Sequence, residues 1–305
     1  MKRRDFLTHS LAVAALSTFP TRTLLSAEGK KRKLLYYERS SGFIHPSTVL
    51  REDGLSVTGR VLKKLGKTLG FEVVCTKDGR IFDGSLEEYD AFLLYCCGQL
   101  TAAGGEKNSW PLSAAGEKNF YQAIRSGKGV LGFHSASDTN KSGGPGFENR
   151  PESERTEYIR MLGGEFIVHG SQQKTTLTFP EPIQLPSLKK LGTSFQTPVE
   201  EWYALKNFNP DMHVLIVQET EGMAIEGGNA CYNRPAFPCT WARMEGKGRV
   251  AYTSLAHNCA VWEEAWLQEI VLDLMKFVTG KIDLDLTPNI STAAPGAYEL
   301  KRKNE

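Results

Sequence analysis

The sequence predicts an α/β protein: a doubly wound, mostly parallel sheet with helices on both faces and extra strands toward the C-terminus. Three observations carry that expectation. Short, continuous apolar runs of the kind buried in parallel sheets recur between residues 34 and 133, separated by stretches with helical spacing. Beyond residue 165 the pattern turns strand-rich. The chain of 305 residues, 40% hydrophobic and 24% charged, is long enough for one large core.

The elements follow in order. Leu34-Leu35-Tyr36-Tyr37 reads as a first buried strand. Leu55, Val61, Leu62, Leu65 and Leu69 recur at helical intervals, with Gly70 placed as a stop. Phe71 to Cys75 and Ala91 to Cys96 are the next two strands. A helix over 114–125 carries Phe120 and Ile124 on one face and leads into a strand at Val130 to Phe133. Thr175 to Phe179 alternates with period two, and His213 to Val217 and Arg249 to Thr253 are further strands. A last amphipathic helix spaces Trp262, Trp266, Ile270, Leu274 and Phe277 at four and three. Residues 284–305 hold Pro288, Pro295 and Gly296 without a period and are expected to form a flexible tail. A single domain over 28–283 results.

Residues 1–27 read as an address. Lys2, Arg3 and Arg4 precede a short apolar run, Leu11 to Leu16, and Ser26-Ala27 offers a cleavage site. Arg3-Arg4-Asp5-Phe6-Leu7 resembles a twin-arginine signal, which implies export to the periplasm or medium. Leu25 is a poor residue two places before the cut, so an uncleaved N-terminal anchor is the alternative. No later stretch approaches the about 20 apolar residues of a membrane span. The segment holds four basic residues and one acidic, so the net charge of +2 falls to −1 once it is removed. A near-neutral chain with no basic excess argues against a nucleic-acid partner.

In doubly wound sheets ligands bind at the carboxyl ends of strands, so residues 40–47, 97–100, 134–139 and 256–259 carry most weight. Gly127-Lys128-Gly129-Val130-Leu131-Gly132 spells a dinucleotide fingerprint, but it enters a strand where the fingerprint must open a helix. No nucleotide cofactor is expected. Of the histidines, His9 belongs to the address, and His213 opens a strand and reads as structural. His45, His134, His169 and His257 stand at strand ends or turns, where imidazole suits metal binding or proton transfer. Asp138, four residues after His134, could share a helical face with it. Glu200-Glu201-Trp202-Tyr203 is either an acidic-aromatic site cluster or a strand edge with a buried ring. Gly132-Phe133-His134-Ser135-Ala136 resembles a nucleophile elbow with His134 at its apex. Ser135 offers a hydroxyl there, but no Ser-His-Asp order is defined, so covalent catalysis ranks below metal or acid–base chemistry. Cys75 and Cys96 read as small core hydrophobes, and Cys231 and Cys239 either close a loop by a disulfide or stay free.

Taken together, the blocks at Gly42-Phe43-Ile44-His45, Gly132 to Thr139, Glu200 to Tyr203, Pro210 to Leu215 and Gly248 to His257 resemble the ThuA-like, or trehalose-utilisation, family over roughly residues 33–280. The resemblance implies a flavodoxin-like domain of the class I glutamine amidotransferase-like superfamily and a role in carbohydrate metabolism. That superfamily's glutamine chemistry needs cysteine at the elbow, where this chain has His134, so amidotransferase activity is not expected. The block that commonly reads His-Pro is His169-Gly170 here, and Lys141 to Phe147 is Gly-rich with few aromatics. The expected site has His134, Asp138 and Glu201 as catalytic residues. His45, His134, His169 and His257 are the candidate ligands of a divalent metal, zinc favoured. Phe43, Ser135, Trp202 and Tyr203 are the candidate contacts to a sugar. The expected activity is isomerisation, epimerisation or elimination beside the carbonyl of a keto-sugar or glycoside; a non-catalytic carbohydrate-binding module is the rival.

Overall fold

The structure is a computed structural model that describes residues 32–106 and 109–301. The segment read as a signal, 1–27, and His9 within it lie outside the described residues.

Five parallel strands make the first half of the sheet: β1 (Lys33–Tyr37), β2 (Glu72–Thr76), β3 (Tyr89–Leu94), β4 (Gly129–Phe133) and, from late in the chain, a strand at Gly248–Thr253. Helices α1 (Val57–Thr68), α2 (Ala114–Arg125) and α3 (Glu157–Leu162) form the crossovers. Each has a side-chain cap at its start: Ser56, Ser113 and Thr156 accept from the backbone N–H three residues on, at 2.9, 3.0 and 3.2 Å. Thereafter come β5 (Glu165–His169), β6 (Thr176–Thr178), α4 (Pro186–Leu191), β7 (Ser194–Gln196), β8 (Tyr203–Lys206), β9 (His213–Gln218), β10 (Phe237–Glu245), β11 (Gly248–Thr253), α5 (Ala265–Val278) and α6 (Ile290–Ala293). The nine-stranded sheet runs β2-β1-β3-β4-β11-β10-β9-β6-β7, antiparallel from β11 onward, and β5 pairs with β8 in a separate antiparallel ribbon.

The parallel strands are buried on both faces, which explains their continuous apolar runs. Around β3, Ala91, Leu93 and Tyr95 join Leu62 and Leu65 of α1 and Ile270 and Leu274 of α5. Phe92, Leu94 and Cys96 join Phe120 and Ile124 of α2 and Ile159 and Leu162 of α3 on the other face. Helices therefore cover both faces of a mostly parallel, flavodoxin-like sheet, as the sequence leads one to expect.

Several details differ. Trp262 lies in a 3-10 turn, Val261–Glu263, ahead of α5. Cys231 and Cys239 are free, as are the other four cysteines. Cys239 belongs to β10, the longest strand, where its side chain is buried in the core and not turned toward a loop closure. The expected flexible tail is instead docked over 284–301. Ile290, Ala294 and Ala297 are buried, Asn289 bonds both backbone groups of Val214, and the buried Arg234 guanidinium donates to the Ala297 carbonyl at 2.7 Å. Prolines interrupt its period, but its small apolar residues still find a groove beside β9.

Candidate metal centre

Four segments at the carboxyl edge of the sheet deliver the polar groups. His45 follows β1 and caps a 3-10 turn in which Thr48 donates twice to its carbonyl, at 2.9 Å each from N and Oγ1. His134 opens the 3-10 turn His134–Asp138 directly after β4, with φ of 40°. His257 follows β11 behind Ala256, whose φ is 79°. Left-handed backbone at non-glycine residues costs about 1–3 kcal/mol and persists where surroundings impose it. Here Tyr252 Oη donates to the His134 carbonyl at 2.8 Å, and the Ala256 carbonyl accepts from Tyr95 Oη at 3.0 Å and Trp262 Nε1 at 2.8 Å. Glu201 comes from the approach to β8, whose pairing with β5 sets Tyr203 opposite His169.

His134 Nε2, Glu201 Oε1 and His257 Nδ1 form a triangle with sides of 3.3, 3.1 and 3.2 Å. A nitrogen of His45 completes a group of four buried donors, all within 4.8 Å of one another. His134 Nδ1 lies 2.8 Å from the Ser254 carbonyl. A carbonyl only accepts, so Nδ1 carries the proton and Nε2 turns its lone pair inward. That lone pair faces a carboxylate oxygen, another acceptor.

The electrostatics point the same way. Burial, with His134 and His257 alongside, pushes His45 down to about 2. Burial also holds His134 below the ordinary imidazole value despite the neighbouring carboxylate. For Glu201 burial acts upward, but the His134 and His257 imidazoles at its oxygen outweigh it and hold the carboxyl well below the usual range. The Glu201 carboxylate thus sits buried beside His45 and His134, both held below the ordinary imidazole value, and among the described residues only histidines pair with it. Such an anion is costly without a cation.

A tetrahedral zinc with bonds of about 2.0 Å separates its ligand atoms by about 3.3 Å, close to the sides of this triangle. His45 Nδ1 is buried without a hydrogen-bond partner. The donor set and its spacing fit a divalent cation.

The other expected residues are distributed around this group. His169 stands outside it, its Nδ1 at 3.4 Å from Glu201 Oε2 and its side chain 45% exposed. Asp138 is turned away, bonded to Cys97 Sγ at 3.2 Å and Lys141 Nζ at 2.8 Å. The helical-face expectation assumes an α-helical turn; a 3-10 turn has about three residues per turn and does not stack i on i+4. Tyr203 lies against His134 with ring centroids 3.9 Å apart, and its hydroxyl is 3.3 Å from His45 Nε2. Phe43, 62% exposed, meets His45 edge-on at 4.9 Å. Ser135 Oγ is buried without a partner. Trp202 is fully buried and donates to the Gln173 carbonyl at 2.8 Å, so it belongs to the core. His213 bonds the Thr287 carbonyl at 2.7 Å, a structural tie. A cleft of ≈ 420 Å³ opens beside His257, lined by Pro46, Pro198, Val199, Asn258 and Glu264 among others. Three supporting groups carry weaker sequence signals. Tyr95 ends a strand, Glu200 adjoins Glu201, and Ser254 acts through its backbone, which no sequence pattern reveals.

Fold and site define a doubly wound α/β protein with a histidine–carboxylate centre at its strand ends. The chain belongs to the ThuA family, described as trehalose utilisation, whose profile matches residues 43–278. Among solved structures it is similar to a ThuA-like protein from Bacteroides uniformis ATCC 8492, at 19% identity and a TM-score of 0.56, with 83% of this chain and 93% of that chain covered. A ThuA-like protein from Parabacteroides merdae ATCC 43184 gives 16% and 0.55, with 89% and 99% covered. A cytoplasmic protein from Salmonella typhimurium LT2 gives 12% and 0.50, with 81% and 99% covered. These likenesses establish the fold. No curated protein matches the chain.

Proposed function

We propose that this ThuA-family protein is an exported enzyme of carbohydrate metabolism acting beside the carbonyl of a keto-sugar or glycoside, by isomerisation, epimerisation or elimination. The observation that carries the reading is the convergence of three imidazoles and Glu201 on one buried point. His45, His134, Glu201 and His257 would hold a divalent cation, zinc favoured by the ligand types. When bound, the cation would supply Lewis-acid polarisation of a carbonyl oxygen.

The chain's own residues do the remaining work. Ser254 fixes the His134 tautomer that presents Nε2. Glu201 divides its oxygens, Oε1 toward the centre and Oε2 toward His169. His169 is the half-exposed imidazole of the set; its Nδ1 is engaged by Glu201 and by the Gly170 carbonyl, and its Nε2 is the atom assigned to proton transfer. Phe43, exposed at the rim, offers an aromatic face to a sugar ring, while the buried Tyr203 backs the His134 ring.

Metal analysis of the purified native protein should find about one divalent ion per chain, lost in His134→Ala together with turnover of a 3-keto-disaccharide. Absence of metal removes the Lewis-acid reading, and unchanged turnover in His134→Ala removes the site assignment. Binding of the sugar without conversion, metal supplied, would favour a carbohydrate-binding module on the same fold.

A further inference from the structure

Glu200 is buried, and its carboxylate reaches two backbone donors from different segments. Oε1 accepts from Glu201 N at 2.8 Å and from Asn258 N at 3.1 Å; Oε2 lies 3.1 Å from the same Asn258 N. These are the amides of a candidate ligand, Glu201, and of the residue following another, His257. Glu200 is itself held from behind, since its N and O pair with Gln173 at 3.1 and 3.0 Å. On the far side of His257, the Ala256 carbonyl is fixed by Tyr95 and Trp262. No Lys or Arg pairs with the Glu200 carboxylate among the described residues, so its polar work is spent on these two amides.

We infer that Glu200 is a positioning residue that couples the strand end carrying His257 to the segment carrying Glu201, and so sets the spacing of the metal ligands. This rests on the metal reading above. The two ligands come from opposite sides of the site, one behind β11 and one before the β5–β8 ribbon, and the Glu200 carboxylate spans the two segments. Without it the buried Glu201 N–H and the part-buried Asn258 N–H lose their acceptor, and the His257 and Glu201 side chains are free to drift apart. Outer partners of this kind typically govern metal affinity by 10–100-fold.

Glutamine keeps an oxygen at the position that receives both N–H groups, whereas alanine removes it. Zinc affinity, measured by competition with a chromophoric chelator, is therefore expected to fall about 10–100-fold in Glu200→Ala and to stay within about threefold of the wild type in Glu200→Gln. Hydrogen exchange on the metal-free proteins gives a second readout: the Glu201 and Asn258 amides should lose protection in Glu200→Ala and keep it in Glu200→Gln. Equal zinc affinity in wild type and Glu200→Ala overturns the inference, as does unchanged amide protection. Equal loss in both variants overturns it too, because charge and not position would then be the cause. A wild-type chain that binds no zinc fails the metal reading, while the exchange readout still decides the coupling.

Discussion

Glu38, immediately after β1, shows what burial does to a single carboxyl. It is 1% exposed, Oε2 accepts from Ser56 Oγ at 2.6 Å, and Oε1 is buried with no partner. Lys77 bonds its backbone carbonyl and the Glu106 carboxylate instead. Burial pushes Glu38 up to about 7, against the opposing pull of Lys77 and Ser56. The folded state thus favours the protonated acid more than the unfolded chain does. Its contribution is complete below about pH 4.5 and is lost as pH rises through about 7, by up to about 3 kcal/mol. Glu38→Gln should flatten the fall of Tm with pH over that window; an unchanged slope assigns the dependence elsewhere. Glu38 carried no sequence signal, since burial alone makes it unusual. The strand-end histidines were legible because glycines and apolar runs mark those ends. Trp202 was not, because sequence cannot tell which side of the Glu201 segment turns inward.

Among the elements, the parallel strands declared themselves through unbroken apolar runs, while β10 did not. Its start is disguised by Arg234-Pro235-Ala236-Phe237-Pro238, which reads as a loop, yet β10 pairs along its length with β9 and β11. The short β5 and β8 were equally hidden, and with them the ribbon that presents His169 and Glu201. Contact between elements also explains Gly129, the first residue of β4. A Cβ there would collide with the backbone carbonyl of Val278 at the end of α5. Neither backbone can step aside without opening the core, so Gly129→Ala is expected to cost about 1–3 kcal/mol by overpacking. A denaturant midpoint equal to that of the wild type would show that the β4–α5 contact yields freely.

For the whole molecule, the proposed export has to be weighed against six free thiols. Burial pushes Cys75 and Cys97 up to about 12, and Cys96 and Cys239 are fully buried and raised too, so these four present little thiolate to an oxidant. Secreted material should therefore begin after Ala27 and release six thiols on denaturation without reductant. An intact Met1 would overturn the cleavage, and a shortfall of two thiols would reveal a disulfide. No helix among the described residues is long and apolar enough to cross a membrane. The strand order adds a constraint on the timing of synthesis. β11, near the end of the chain, lies between β4 and β10, so the nine-stranded sheet is completed at its middle and not at its edge. Until β11 has left the ribosome, β4 offers an unpaired apolar edge to any other strand it meets. The chain's period of greatest exposure to misassociation is therefore the interval between the synthesis of β4 and that of β11, and His134 and His257 reach each other only when it closes.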